Sequence, residues 1–281
     1  MRIIKTVKEM QEVADELRKD KKIGFVPTMG YLHEGHLALV KKAREISNVV
    51  IASIFVNPTQ FGPSEDLARY PRDFERDRKL LEQEKTDIIF SPDVNEMYPL
   101  EYSTYVQVRD LEDYLCGRTR TGHFIGVATV VAKLFNIVKP HFSVFGQKDY
   151  QQLKIIERMV RDLNMDLEIV PYPTVREPDG LAMSSRNTYL SPDEREKALL
   201  IYAAMKRVES LFNCGERGVS VLVKLVKQTL SSKEGIEIEY ITLSDAETLV
   251  EIEKIEKKAV LAIACRIGRT RLIDNTILTE A

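Results

Sequence analysis

Ile23-Gly24-Phe25-Val26-Pro27-Thr28-Met29-Gly30-Tyr31-Leu32-His33-Glu34-Gly35-His36-Leu37 passes from a short apolar run through a glycine-bearing turn into a helix start. The apolar run Ile23–Val26 has the length and content of a buried strand. The periodic stretch after it predicts a helix from Glu34 to Ser47. A strand followed directly by a helix places the helix N-terminus, worth roughly +0.5 charge, beyond the strand's carboxyl end. His33 and His36 would then stand beside several backbone N–H groups that a helix start leaves free. Such a place attracts phosphate. A histidine donor there can stabilise charge developing during displacement at phosphorus. Gly30 and Gly35 would let a ligand approach the backbone closely. The plainer reading is a helix cap with two partly exposed histidines. A zinc reading lacks a third and fourth ligand.

Outward from this stretch the chain keeps alternating. Val49-Val50-Ile51-Ala52-Ser53-Ile54-Phe55-Val56 is a continuous β-branched run, as expected of a strand covered on both faces. A helix near residues 72–84, a strand at 87–91, an apolar helix over 126–138 and a strand at 142–145 follow. Then come a helix at 150–163 and a strand at 167–170. This pattern predicts an α/β fold with a doubly wound parallel sheet. In such sheets ligands bind beyond the carboxyl ends of the strands. The loops after Val26, Val56 and Phe145 lie at those ends.

The last third differs. All eleven prolines lie between Pro27 and Pro192, and all four histidines at or before His141. Chemistry is therefore expected in the first two-thirds. Ser191-Pro192-Asp193-Glu194 is a strong helix start. Helices to about Phe212 and over 218–230 precede strands near 236–243, 260–266 and 271–274. That order predicts a smaller α+β domain. The expected division is residues 1–177 and 178–281.

The chain has 281 residues, 44% of them hydrophobic, and 41 basic against 43 acidic side chains, a net charge of −2. A sizeable core follows, while coating of nucleic acid or of a membrane surface does not. The apolar stretch 126–138 contains Lys133 and Asn136 and is too short to span a bilayer. The start shows no secretory h-region. Three scattered cysteines, Cys116, Cys214 and Cys265, suit a reducing cytoplasm and a packing role.

Four further stretches carry candidate chemistry. Asn57 and Gln60 are amides at the second strand's end, able to read a hydroxyl or carboxylate; a proline turn would explain Pro58 but not Gln60. Lys148 is a compact cation at a strand-to-helix turn, suited to phosphate, while Asp149 beside it also fits a helix cap. The glycine spacing is not that of a Walker loop. Ser184-Ser185-Arg186 forms a possible anion clamp downstream of Gly180, or else an exposed linker. His123, after Gly122, is either a substrate contact or structural; Arg118 and Arg120 nearby suit an anion or surface ion pairs. His141 reads as structural, and the charged run 251–258 as a solvated face.

Taken together, Pro27-Thr28-Met29-Gly30 with His33-Glu34-Gly35-His36, Phe55-Val56-Asn57-Pro58-Thr59-Gln60-Phe61, Gly122-His123-Phe124, Gly146 with Lys148-Asp149 and Gln152, and Met183-Ser184-Ser185-Arg186-Asn187 resemble the pantoate–β-alanine ligase family. That family lies within the nucleotidyltransferase-like superfamily with the His-x-Gly-His motif. The resemblance spans the whole chain. Gln147 and Thr121 depart from it, where glutamate and proline are expected.

The resemblance implies a Rossmann-like catalytic domain and a smaller lid. It implies ATP-dependent condensation of pantoate with β-alanine through a pantoyl adenylate, with Mg2+ on the triphosphate. It places ATP on Met29, Gly30, Tyr31, Leu32, His33, Glu34, Gly35 and His36, and on Gly146, Gln147, Lys148, Asp149, Val175, Met183, Ser184, Ser185 and Arg186. Gln60 and Gln152 would hold pantoate, and Gln60 also β-alanine. His36, with His33, Lys148 and Arg186, would carry the chemistry, His36 as proton donor. No metal ligands are assigned. The small-molecule partners are pantoate, β-alanine and ATP, and a cytoplasmic homodimer is implied. Two alternatives remain: a nucleotidylyltransferase that stops at adenylyl transfer, and a non-catalytic nucleotide sensor.

Overall fold

The structure is a computed structural model that describes residues 1–63, 65 and 67–280. Six strands form one parallel sheet: β1 (Arg2–Ile4), β2 (Ile23–Thr28), β3 (Val49–Ile54), β4 (Ile88–Phe90), β5 (Phe142–Gly146) and β6 (Glu168–Tyr172), in the order β1-β4-β3-β2-β5-β6. The helices between them are α1 (Val7–Leu17), α2 (Glu34–Ile46), α3 (Phe74–Gln83), the short α4 (Val94–Met97), α5 (His123–Val138) and α6 (Tyr150–Asp162). β1 and α1 precede the first element expected from sequence. The doubly wound sheet is as expected.

Period-two alternation separates the two faces of the sheet. Ile23, Phe25, Ile51, Ile88, Phe90 and Phe145 point into one apolar layer with residues of α1, α5 and α6. Val26, Val50, Ala52, Ile89 and Val144 point into the other, with Leu37, Val40 and Ala43 of α2 and Leu81 of α3. Both faces are covered, which is why these strands read as unbroken apolar runs.

The C-terminal part contains α7 (Pro192–Asn213), α8 (Val219–Leu230) and the antiparallel strands β7 (Ile236–Asp245), β8 (Ala259–Ile267) and β9 (Thr270–Leu278). The start of α7 follows its sequence signature, with a reciprocal cap between Ser191 and Glu194 and Pro192 in the first turn. β9 runs well past the expected Asp274, because β8 offers it a partner at every residue from Ala259 to Ile267. α5 starts three residues before the expected Gly126, on Gly122 at φ 78°. Ala246, Leu249, Val260 and Ala262 join the apolar layer of the first sheet, so the two parts share core.

Candidate active site

All six strands of the main sheet are parallel, so the loops after β2, β3 and β5 emerge on one edge. β2 lies between β3 and β5, and the chain leaves it toward β3. The order of the sheet therefore reverses between β2 and β5, the place where a crevice opens in such folds. Residues 29–33 and 147–149 flank it.

The turn after β2 is more fully bonded than its sequence suggests. Gly30 N donates to Thr28 Oγ1, Tyr31 N and Leu32 N donate to the two carboxylate oxygens of Asp77 at 2.6 and 2.8 Å, and Gly35 N donates to His33 Nδ1 at 3.1 Å. His33 N donates to His36 Nδ1 at 3.3 Å. These amides are not free for phosphate, which corrects the expectation of an open helix N-terminus. The glycines have a different reason as well. Gly30 sits at φ 79°, and a Cβ there would lie 3.0 Å from Asp77 Oδ2; a Cβ on Gly35 would lie 2.8 Å from His33 Cε1. They make room for Asp77 and the imidazole.

This bonding settles the state of both histidines. A backbone N–H only donates, so each Nδ1 presents a lone pair and each ring carries its proton on Nε2. The rings stack with centroids 4.0 Å apart. Burial, with the charge of Lys148, lowers His33 to about 4; burial, then His33 and Lys148, holds His36 well below its ordinary value. At neutral pH the pair are uncharged Nε2–H donors.

Lys148 thus acts electrostatically on both imidazoles, and among the described residues its ammonium makes no ion pair or hydrogen bond. Its loop is held by Asn275 of β9, whose Nδ2 donates to the carbonyls of Gln147 and Lys148 at 3.0 and 2.8 Å. Asp149 occupies the cap position of α6, but its side chain makes no cap hydrogen bond there. Met183 reaches the histidine turn: its Cβ is 3.5 Å from where a Cβ of Gly35 would stand. Met183 N donates to Val175 O at 3.0 Å, and Ser184 Oγ caps the turn that carries Arg186. On the other side, Gln60 Nε2 donates to Met29 Sδ at 3.3 Å.

A cavity of about 1080 Å³ opens between this edge and the C-terminal sheet. Lys148, Asp149, Gln152, Ser184 and Arg186 line it; Met29, His33, His36 and Gln60 are not among its lining residues. Its far wall is Glu239, Tyr240, Arg266, Arg271, Asp274 and Asn275, so the last third contributes more than expected.

Comparison with known proteins fits this geometry. The family model described as pantoate-beta-alanine ligase matches residues 2–277. The chain belongs to the pantoate–β-alanine ligase family. Pantothenate synthetase of Thermotoga petrophila is 59% identical over 279 residues, covering 99% of this chain and all of that one. A crystal structure of pantothenate synthetase from Thermus thermophilus has a TM-score of 0.93 at 47% identity, covering 98% of this chain and 99% of the other. A pantoate–β-alanine ligase from Francisella tularensis, complexed with beta-gamma ATP and β-alanine, has a TM-score of 0.80 at 35% identity, covering 99% and 97%. As a member of this pantoate–β-alanine ligase family the chain is an enzyme.

Several residues that shape this candidate site were not singled out from sequence. Asp77 is one; the available signal was an acid four residues before Leu81 on the buried stripe of α3. Asn275 and Glu65 gave none. Arg118 and Arg120 both proved to be ion-paired, with Glu251 and Glu65. His141 is structural as expected, its Nδ1 accepting from Ile23 N at the far end of the sheet. The cysteines divide: Cys265 packs, Cys214 is exposed against expectation, and Cys116 is buried yet lines the cavity.

Proposed function

We propose that this chain condenses pantoate with β-alanine at the expense of ATP, in two steps. A pantoate carboxylate oxygen attacks the α-phosphorus, the bond to the β-phosphate oxygen breaks, and pyrophosphate leaves. The β-alanine nitrogen then attacks the acyl carbon, loses a proton, and AMP leaves. The observation that carries this reading is the pair of Nε2–H imidazoles in the field of Lys148. Fixed donors of that kind favour charge gathering on phosphate oxygens. Lys148 and Arg186 offset the repulsion between carboxylate and triphosphate. Residues Met29 to His36, Gly146 to Asp149, Val175 and Met183 to Arg186 form the nucleotide side; Gln60 and Gln152 take pantoate, and Gln60 also β-alanine.

Among the described residues no cluster of three His, Cys, Asp or Glu could hold a metal. Magnesium carried on a triphosphate needs none, since it keeps waters and takes phosphate oxygens with one or two carboxylates. Asp149, exposed beside Lys148 on the cavity wall, is a carboxylate that fits. Bound there, the ion would neutralise phosphate charge.

The test is pyrophosphate release. ATP and pantoate alone should yield pyrophosphate, and AMP should follow only when β-alanine is added. No pyrophosphate before the amine would sink the adenylate route. Pyrophosphate with an adenylylated product that persists after the amine is added, and no AMP or amide, would favour a nucleotidylyltransferase, and no turnover at all a sensor. We further propose that residues 178–281 close over residues 1–177, and that the enzyme is a cytoplasmic homodimer. The shared core supports only a small closing movement. No helix of the described residues is long and apolar enough to cross a membrane. Small-angle scattering reads both: a one-copy mass rejects the dimer, and an unchanged radius on adding ATP with pantoate rejects the closure.

A further inference from the structure

His123, like His141, is a histidine that the two-step reaction leaves unused, but unlike His141 it lines the cavity. It is 8% exposed at the first turn of α5, and two hydrogen bonds fix it. Arg120 Nη1 lies 2.9 Å from its Nε2, and the Gln60 carbonyl lies 2.8 Å from its Nδ1. A guanidinium has only donors, so Nε2 must accept. The proton is therefore on Nδ1 and is donated to Gln60 O. This tautomer is the opposite of that of His33 and His36.

Arg120 is itself fixed. Its Nε and Nη2 donate to Glu65 Oε1 and Oε2, each at 2.7 Å, the bidentate geometry that sets a guanidinium plane. Burial works against the Glu65 charge, but the Arg120 hydrogen bonds and charge prevail and hold that carboxyl below its usual range. The chain of contacts thus runs from Glu65 through Arg120 and His123 to the backbone of Gln60. The Gln60 side chain is also aimed: its Oε1 accepts from Asn57 Nδ2 at 3.1 Å, and one Nε2 hydrogen goes to the weak acceptor Met29 Sδ. Among the described residues nothing accepts the second Nε2 hydrogen, which is left for a ligand.

We propose that Glu65, Arg120 and His123 are positioning residues that hold the turn bearing Gln60 so that its free amide hydrogen meets the carboxylate or hydroxyl of the acid substrate. They act through Gln60 and exchange no proton with substrate. An imidazole facing a guanidinium is a poor base, and His123 spends its one N–H on a carbonyl. The proposal rests on Gln60 being the pantoate contact.

The test compares apparent KM values for pantoate and ATP in pyrophosphate release. His123→Leu removes the donor; pantoate KM should rise about tenfold, the equivalent of one hydrogen bond, with ATP KM within about twofold. In His123→Asn the side-chain amide can stand where Nδ1–H stood, and pantoate KM should return to within about threefold of the parent, by the same scale. A merely structural role would move both substrates alike and show no rescue, and either result overturns the relay. If His123→Leu does not fold, Arg120→Met carries the test. It leaves the imidazole but frees its tautomer, so the Nδ1–H signal in a 1H–15N spectrum should weaken and pantoate KM should rise. An unchanged spectrum and KM overturn the relay. Gln60→Ala separates the two ideas. If it leaves pantoate KM unchanged, the reading of Gln60 fails; if it raises pantoate KM while His123→Leu does not, the relay alone fails.

Discussion

His33 and His36 meet two demands at once: they cap α2 and they keep their ring protons on Nε2. Each Nδ1 takes a backbone proton, so each Nε2 must be a donor, and burial keeps both rings neutral. A general acid works best with a pKa near the working pH; these histidines are held below it. In the proposed reaction they serve as hydrogen-bond donors to phosphate rather than as a proton store. Two outcomes follow. His36→Ala should lower pyrophosphate release on the order of 10²-fold, the scale of one lost transition-state donor; near-parental rates would remove the role. Because His33 titrates at about 4, its protonation contributes nothing between pH 6 and 8. The sign follows from the lowered folded value. The neutral, capping form dominates above it, and its contribution to stability fades as pH falls from the unfolded value near 6.5 toward 4. A pyrophosphate-release profile that fell through pH 6–7 with increasing pH would show an imidazolium at work instead. At this scale the sequence shows which side chains matter but not what holds them. Asp77 matters only because α3 packs its polar residue against the turn, and no local pattern encodes that packing.

Elements were readable where one physical cause dominates. β2 and β3 are buried on both faces, so their apolar runs are unbroken, and α7 carries its cap, its proline and its acids in the first turn. Contacts between elements were not readable, and α5 shows why. Its first turn lies directly on the 57–60 turn: Asn57 Nδ2 donates to Gly126 O at 3.1 Å, and a Cβ on Gly126 would stand 2.7 Å from Gln60 N. Backbone faces backbone there, so no side chain can swing away. Gly126→Ala should push α5 from that turn. The expected loss is about 1–3 kcal/mol, the cost of overpacking a close contact, together with a raised pantoate KM. An unchanged urea midpoint and unchanged KM would mean the helix has slack that the geometry does not show.

For the whole molecule, the parallel sheet and the small C-terminal domain could be anticipated, but their joint could not, because it depends on residues far apart in sequence. Arg176 lies just before the C-terminal part and Asp274 near its end. They form a bidentate pair at 2.6 and 3.0 Å, with Asp274 only 4% exposed. Next to Asp274, Asn275 grips the loop of Lys148, while Val175, beside Arg176, holds Met183. One ion pair thus ties together the segments that bear Lys148 and Met183. Removing one partner of a buried pair strands the other charge, at about 3–5 kcal/mol. Arg176→Met should therefore lower the urea midpoint strongly at pH 7. Burial already raises the Asp274 carboxyl above its ordinary value with Arg176 in place, and losing the guanidinium would raise it further, so the deficit should narrow as pH falls toward 5 and the group takes a proton. Arg176→Met with Asp274→Leu should recover most of the stability, since an apolar pair of similar volume leaves no charge to bury. If the pair also orients the segments proposed to hold ATP, ATP KM should rise in Arg176→Met and remain raised in the double variant. A full return of both stability and ATP KM would show that the joint needs only apolar contact.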